Sequence, residues 1–333
     1  MADINILTAA MKVQFLNSMQ AVGKPAPIDG IVTEVPSTAR IENYAWMTPA
    51  PGISRYKGYR RLAKLSSIKY TVENLEYDGS FTVPLRDVED DQVGGYKRRM
   101  KDLVEKSKAP FRTRLLLQFL NNGASNVCFD GSNFFNTTHN IGGYPTTNAV
   151  LTGGGNKYTV SAAASADGTT HNVYLLVRNE MLCPLIYQNR KPPKFGTDAG
   201  TPASEKAKKA DYWIDLEAAA AHGYWWDAIK LTITGTPTIL ELITYLDNMH
   251  QQMSQFSLPV SLATDPLEYV HEQLVWSPET ITVATSIGLQ TLMNRVLNES
   301  YYGISVAGST SGVTPNNLYF KKFTHIASNY LNP

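Results

Sequence analysis

The sequence predicts an α+β protein with more than one domain. Three observations carry that expectation: apolar residues at helical spacing between 96 and 122, short alternating or β-branched runs between 68 and 229, and a return to helical spacing after residue 238. A chain of 333 residues exceeds the usual single core, and 43% hydrophobic residues with 10% aromatics give ample material for burial. The formal net charge of +1 argues against an obligate polyelectrolyte binder, so any nucleic-acid contact is expected to be local or weak.

Residues 1–22 predict a short amphipathic helix with Ile6, Leu7, Ala10, Val13, Phe15, Leu16 and Met19 on its apolar side, ended by Gly23, Pro25 and Pro27. The proline-punctuated stretch up to Arg40 reads as an extended arm, too open to form its own core. Residues 55–64 then carry Arg55, Lys57, Arg60, Arg61 and Lys64 with no acid until Glu73, and lead into the alternation of residues 68–73, the period of a half-exposed strand. Asp78 and Gly79 suit a turn or bulge, and residues 81–85 read as a second strand, with Pro84 confined to an edge. A lone hairpin is barely stable in water, so this ribbon either lies on its own domain or reaches a neighbouring subunit. The charge arrangement favours the neighbour.

Asp87, Glu89, Asp90 and Asp91 form an acidic entrance to the longest helix, where carboxylates cap free amides and favour the positive end of the dipole. Met100, Leu103, Val104, Phe111, Leu115 and Phe119 make its apolar side, Asn121, Asn122 and Gly123 stop it, and Pro110 is expected to kink or split it. The opposite side presents Lys97, Arg98, Arg99, Lys101, Lys106, Lys108, Arg112 and Arg114, either a solvated face or an electrostatic contact with phosphate. Residues 123–170, rich in Gly, Asn, Ser and Thr, read as loops; strands resume at 173–177 and 185–187. Residues 191–210 read as a surface loop and the aromatic-rich run 212–229 as a buried sheet component. Ile239, Leu242, Ile243, Leu246, Met249 and Met253 then predict a helix, followed by a strand over 280–284 and a helix over 286–298. That change of pattern places a boundary near residue 235.

The candidates for chemistry are thin. Cys128 and Cys183 are too few for a secreted disulfide framework and lack the paired spacing of a structural zinc site, which suggests a reducing compartment. None of His139, His171, His222, His250, His271 and His325 pairs with a carboxylate or cysteine at ligand spacing, and His250 reads as a core histidine. A Cys128 and His139 dyad would need a fold that brings the two together. Asp130, Gly131 and Ser132 lack a nucleophile elbow, and Gly153, Gly154 and Gly155 lack the lysine of a phosphate loop. No catalytic, cofactor or metal site is expected. No apolar run reaches bilayer length and the start lacks the order of an export signal, so a soluble protein made in the cytoplasm is expected.

Pro51-Gly52-Ile53-Ser54 with Tyr56-Lys57-Gly58, Val88-Glu89-Asp90-Asp91 ahead of the long helix, and Phe129-Asp130-Gly131-Ser132-Asn133-Phe134-Phe135 with His139 occur in that order. Together they resemble the phage Mu-like major head subunit family, tailed-bacteriophage capsid proteins of the Hong Kong 97 fold. Residues 184–191 and 223–226 resemble the family's sheet segments, although here they precede the helical segment instead of lying near the end of the chain. The resemblance implies an N-terminal arm over 1–45, an extended loop over 46–82, a peripheral domain over 83–235 with a spine helix over 96–122, and an axial domain over 236–333.

It further implies a shell protein without enzymatic activity, whose hexamers and pentamers close an icosahedral wall around double-stranded DNA. Separate scaffold, portal and decoration proteins would be its partners. It would be made in the host cytoplasm and end in the virion capsid. The extended loop would lie over an adjacent subunit, so that Arg55, Lys57, Arg60, Arg61 and Lys64 meet Asp87, Glu89, Asp90 and Asp91 of that neighbour; alternatively those acids only cap their own helix. Lys97, Arg98, Lys101 and Lys108 are the candidates for weak, sequence-independent DNA contact. The short arm leads to the expectation of no large N-terminal processing, and the presence of Lys57, Lys64 and Lys69 does not by itself argue for cross-linking. An encapsulin-like compartment and a cysteine or histidine hydrolase are the alternatives.

Overall fold

The computed structural model describes residues 2–21, 26–47, 56, 58, 67–89, 93–141, 144–145, 155–163, 167–256, 274–275, 277–299, 319 and 321–332. The chain opens with helix α1 (Ala2–Gln20), whose buried line is Ile4, Leu7, Met11 and Phe15, packed with Met100, Val104, Tyr212 and Ile214. Ile6, Val13 and Leu16, expected on the apolar side, are 66%, 56% and 48% exposed. Apolar residues surround this helix, so the helical period admits two stripes and only packing selects one. The arm is not open either. Residues 27–31 form a short helical turn that buries Ile28 and Ile31 in the main core, and β1 (Val32–Pro36) joins a sheet.

β2 (Ile41–Met47) pairs antiparallel with β3 (Ser67–Glu73), from Ile41 opposite Glu73 to Met47 opposite Ser67. The ribbon is therefore made with residues 41–47 and not, as expected, with 81–85. β4 (Leu75–Pro84) pairs instead with residues 209–218 and forms a sheet edge, which suits Pro84. Asp78 and Gly79 lie inside this strand and make no turn. A Cβ on Gly79 would sit 2.8 Å from Leu103 Cδ1, so the glycine lets the long helix approach the sheet.

α2 (Leu85–Glu89) precedes α3 (Val93–Ser107) and α4 (Ala109–Asn121). The spine expected over 96–122 is split at Lys108, with Pro110 in the first turn of α4, where a missing N–H breaks no helical bond. The break resets the buried face. Met100, Val104 and Phe111 are buried as expected, but Leu116, Leu117 and Leu120 take the places expected for Leu115 and Phe119.

The loop-rich stretch contains the short strands β5 (Asn140–Ile141) and β6 (Tyr144–Pro145) and ends in β7 (Lys157–Ser161). β8 (Thr170–Val177), β9 (Leu185–Thr197), α5 (Pro202–Ala207), β10 (Lys209–His222) and β11 (Ala228–Thr234) follow. Residues 191–210, expected as a loop, are thus largely strand and helix. The run 212–229 is divided between two strands in different sheets. The chain crosses between them at Gly223, where a Cβ would lie 2.0 Å from the Cys183 carbonyl oxygen. α6 (Ile239–Ser254), with Thr238 and Glu241 forming a capping box, then β12 (Ile281–Ser286), α7 (Gln290–Asn298) and β13 (Thr324–Ser328) complete the order.

One sheet has the order β1-β9-β10-β4 and the other β13-β12-β8-β11-β7. β7, β8 and β11 precede residue 235 while β12 and β13 follow it, so one sheet takes strands from both sides of the expected boundary. The larger core, including Leu116, Tyr174, Ile186, Trp225, Leu242, Val283 and Met293, runs through both sheets and helices α4, α6 and α7, beside the smaller one under α1 and α3.

Candidate assembly surface

The β2–β3 ribbon has a fixed root. Arg40 bridges Glu73 at 2.9 Å, and Asn74 Nδ2 donates to Ser37 Oγ at 2.9 Å and to the Ala39 carbonyl at 2.8 Å. Glu42 accepts the Ala39 amide, the Ser37 hydroxyl and the Thr38 amide, and these bonds hold its carboxyl below the usual range. Further out, Tyr44 donates to Gln188 Oε1 at 2.7 Å, and Tyr70 Oη accepts the His222 amide at 3.4 Å. Burial pushes the Tyr70 phenol up to about 12. The ribbon is thus held at its root by its own hydrogen bonds and further out by β9 and β10.

Within the basic segment, Tyr56 is 69% exposed and Gly58 takes φ +89°. Arg55, Lys57, Arg60, Arg61 and Lys64 lie outside the described residues, as do Asp90, Asp91 and the side chain of Glu89. Asp87 accepts a hydrogen bond from Tyr96 Oη, which ties α2 to α3. That role was not foreseen.

Lys97, Arg98 and Lys101 stand exposed on α3, with the Arg99 guanidinium 5.4 Å from the centre of the Tyr96 ring. Lys108 does not belong with them. Its Nζ donates to the Ser18 carbonyl and, at 3.1 Å, to that of Ala21, so it caps the negative end of α1. Arg112 also turns inward, to Asp29 and, at 3.3 Å, to Glu34. The exposed basic face is therefore shorter than the sequence suggested, because α1 and the residues after it fold back over the helix break.

The Cys128 and His139 dyad does not form. His139 Nδ1 meets Asp130 Oδ2 at 2.7 Å and Nε2 meets Asn156 Oδ1 at 3.0 Å, while its ring stacks on Trp225 with centroids 4.1 Å apart. Asn156 Nδ2 in turn reaches the carbonyls of Phe134 and Trp225 at 2.9 Å and of Ala228 at 3.0 Å. The histidine and both its partners' side chains are buried, so this network locks the 129–139 loop to the crossing between sheets. The Asp130–His139 pair escaped the sequence reading; its signal was a carboxylate and an imidazole nine residues apart in one aromatic-rich loop. Burial pushes the Cys128 thiol well above its usual value, which suits packing and not nucleophilic attack.

His222 lies between the rings of Phe119 and Phe134, with centroids 4.3 and 4.0 Å away, and burial pushes it down to about 3. His250 bonds the Leu274 carbonyl at 3.2 Å, as a core histidine would. Among the described residues, no group of three or more His, Cys, Asp or Glu side chains could hold a metal ion, and no helix is long and apolar enough to cross a membrane.

A split spine packed on one face of a mixed sheet, a ribbon drawn out ahead of it and a second sheet with its own helices define a class: the Hong Kong 97-like fold of phage capsid subunits. The chain superposes on a capsid chain of bacteriophage JBD30 with a TM-score of 0.70 at 15% identity, covering 94% of each. For a chain of the JBD30 procapsid the TM-score is 0.67 at 19% identity, covering 99% of each. Residues 4–304 match the family of the Mu-like prophage major head subunit gpT, and the chain belongs to that family. It is 30% identical over 208 residues to the Mu-like prophage FluMu major head subunit of Haemophilus influenzae, a match covering 60% of this chain and 64% of that relative. With the major capsid protein of Escherichia phage Mu it shares 25% identity over 235 residues, 69% of this chain and 73% of the other.

Proposed function

We propose that this protein is the major head subunit of a tailed bacteriophage, copies of which close an icosahedral shell of hexamers and pentamers around double-stranded DNA. The observation that carries the reading is the ribbon rooted at Arg40, Glu73 and Asn74 in a chain of the head-subunit family. An extended hairpin needs a surface to rest on, and a neighbouring copy supplies one. Arg55, Lys57, Arg60, Arg61 and Lys64 are the residues proposed to face acids of that neighbour, with Asp87, Glu89, Asp90 and Asp91 among them. Each exposed pair contributes only about 0.2–1 kcal/mol, and repetition around the lattice multiplies the contribution. The subunit is made in the host cytoplasm and works with separate scaffold, portal and decoration proteins.

Negative-stain electron microscopy of the purified protein tests this reading. Rings or round shells are expected, and the double variant Arg60→Glu with Arg61→Glu is expected to stay soluble and fail to assemble. A wild-type protein that remains monomeric under all assembly conditions contradicts the proposal.

Lys97, Arg98 and Lys101 form the proposed contact with packaged DNA. Three phosphate contacts give a slope of log K against log salt of roughly −3 for the free subunit, shallow beside that of a specific binder, and Lys101→Ala is expected to reduce it by about 1. Titration of labelled duplex at several salt concentrations measures both. A slope near −10 would contradict the weak contact that packing by sliding requires.

A further inference from the structure

Helix α1 is apolar on two sides. Ile4, Leu7, Met11 and Phe15 are buried against the body, while Ile6, Ala9, Val13 and Leu16 are exposed. Helical geometry puts the second line about 180° round from the first, on the side farthest from the core. A surface helix ordinarily presents charge on that side. Here Lys12, at the margin of the stripe, is the one charged side chain exposed on α1 among the described residues. The outward line also has the spacing of a seam between helices. Its steps are three, four and three residues, as positions a and d of a heptad alternate, with the β-branched Ile6 and Val13 at a and Ala9 and Leu16 at d.

We infer that α1 docks on α1 of a second copy of the chain, antiparallel across a two-fold axis, through Ile6, Ala9, Val13 and Leu16. The inference rests on the head-subunit reading and adds to it a contact apart from residues 55–64. The stripe is complementary to itself. Laid antiparallel, Ile6 faces the partner's Leu16 and Ala9 faces the partner's Val13, so every member of the stripe is covered and each small alanine sits beside a valine. Laid parallel, Ala9 would meet the partner's Ala9 and leave a void, and Gln20, next on the same line, would meet the partner's Gln20 and bury two amides. Antiparallel order also brings opposite ends of the two helix dipoles together.

The occupant is a second copy because a chain of the head-subunit family is surrounded by copies of itself, and a closed lattice sets equal surfaces against each other at its two-fold axes. Size decides where the pair forms. The stripe is about 15 Å long on a helix about 10 Å across, far too small for the roughly 800 Å² per partner of a stable complex. The pair therefore belongs to the assembled lattice, where other contacts hold the subunits, and free subunits stay single.

Ile6→Cys with Leu16→Cys in one chain tests the pairing. The two thiols are about 15 Å apart along one helix, too far to bridge within a chain, and the native Cys128 and Cys183 are buried. After oxidation of assembled shells, a denaturing gel is expected to show covalent dimers and no longer species, because both disulfides join the same two chains. Either single variant is expected to give no product. A ladder, a dimer from a single variant, or no covalent product overturns the assignment; thiols shielded in shells yet unlinked mean another occupant, such as a scaffold protein, and overturn it as well. Ile6→Lys with Val13→Lys is expected to leave the urea midpoint of the free subunit in place, both side chains being exposed, and to raise the subunit concentration needed for assembly about tenfold or more. Unchanged assembly, or a lowered midpoint, counts against the pair. Shells without the cross-link leave the head-subunit reading standing, whereas a wild-type protein that never assembles removes both.

Discussion

Replacing Asn156 by leucine is expected to lower the stability of the free subunit by about 4 kcal/mol or more, among the largest effects a single substitution produces. The side chain has no exposure and joins five partners. Its oxygen receives the Asn136 amide at 3.0 Å and faces His139 Nε2, and its nitrogen is shared among the carbonyls of Phe134, Trp225 and Ala228. Leucine fits the volume but leaves these groups buried without their partner, and each such loss costs about 1–3 kcal/mol. The loop holding Asp130 and His139 and the crossing at Gly223 to Ala228 would lose their common tie. Urea midpoints of the free subunit measure the loss, and a change below about 1 kcal/mol would show that water or a repacked loop replaces the network.

The second large effect is acid lability. Burial pushes His222 down to about 3 and His325 down to about 4, and the unfolded chain binds protons at both near the ordinary histidine value. A group depressed on folding contributes stability that is fully present above its unfolded pKa and is lost as pH falls toward its folded one. The subunit is therefore expected to be most stable above pH ~6.5 and to weaken by up to about 2.7 kcal/mol per pH unit in the window below, two protons' worth. His171 and His250 are lowered by burial as well and add in the same direction.

His222→Phe isolates one contribution to this. Neither ring nitrogen of His222 has a hydrogen-bond partner among the described residues, and its neighbours are aromatic. A phenyl ring is expected to be tolerated at neutral pH and to lower the slope between pH 6 and 4 by up to about 1.4 kcal/mol per pH unit. Unfolding midpoints of the two proteins across that range provide the check; parallel slopes would remove His222 from the explanation.

The spine, its split at Pro110, the helix after Thr238 and the aromatic core were readable because each depends on neighbours within a few positions. The partners of β4 were not. An alternating run such as 75–84 is satisfied equally by β3 or by β10, and the choice rests on chain more than a hundred residues away. The same holds for bases. Lys97 and Lys108 look alike on a helical wheel, yet one meets solvent and the other the end of α1, because a charge's partner is set by packing and not by spacing. On the candidate site, the motif containing Asp130 and His139 was visible as a cluster, but that its imidazole is tied to Asn156 and stacked on Trp225 required three distant segments to meet.

Taken alone, the amino-acid order determined the α+β class, the likeness to head subunits and the positive charge of residues 55–64, since composition, local period and short motifs are properties of contiguous chain. Tertiary structure decided which stripe of α1 is buried, which strands share a sheet across residue 235, and which bases of the spine turn inward. Those outcomes turn on non-local pairing and burial, in which many arrangements satisfy the same local pattern and the packed core selects one.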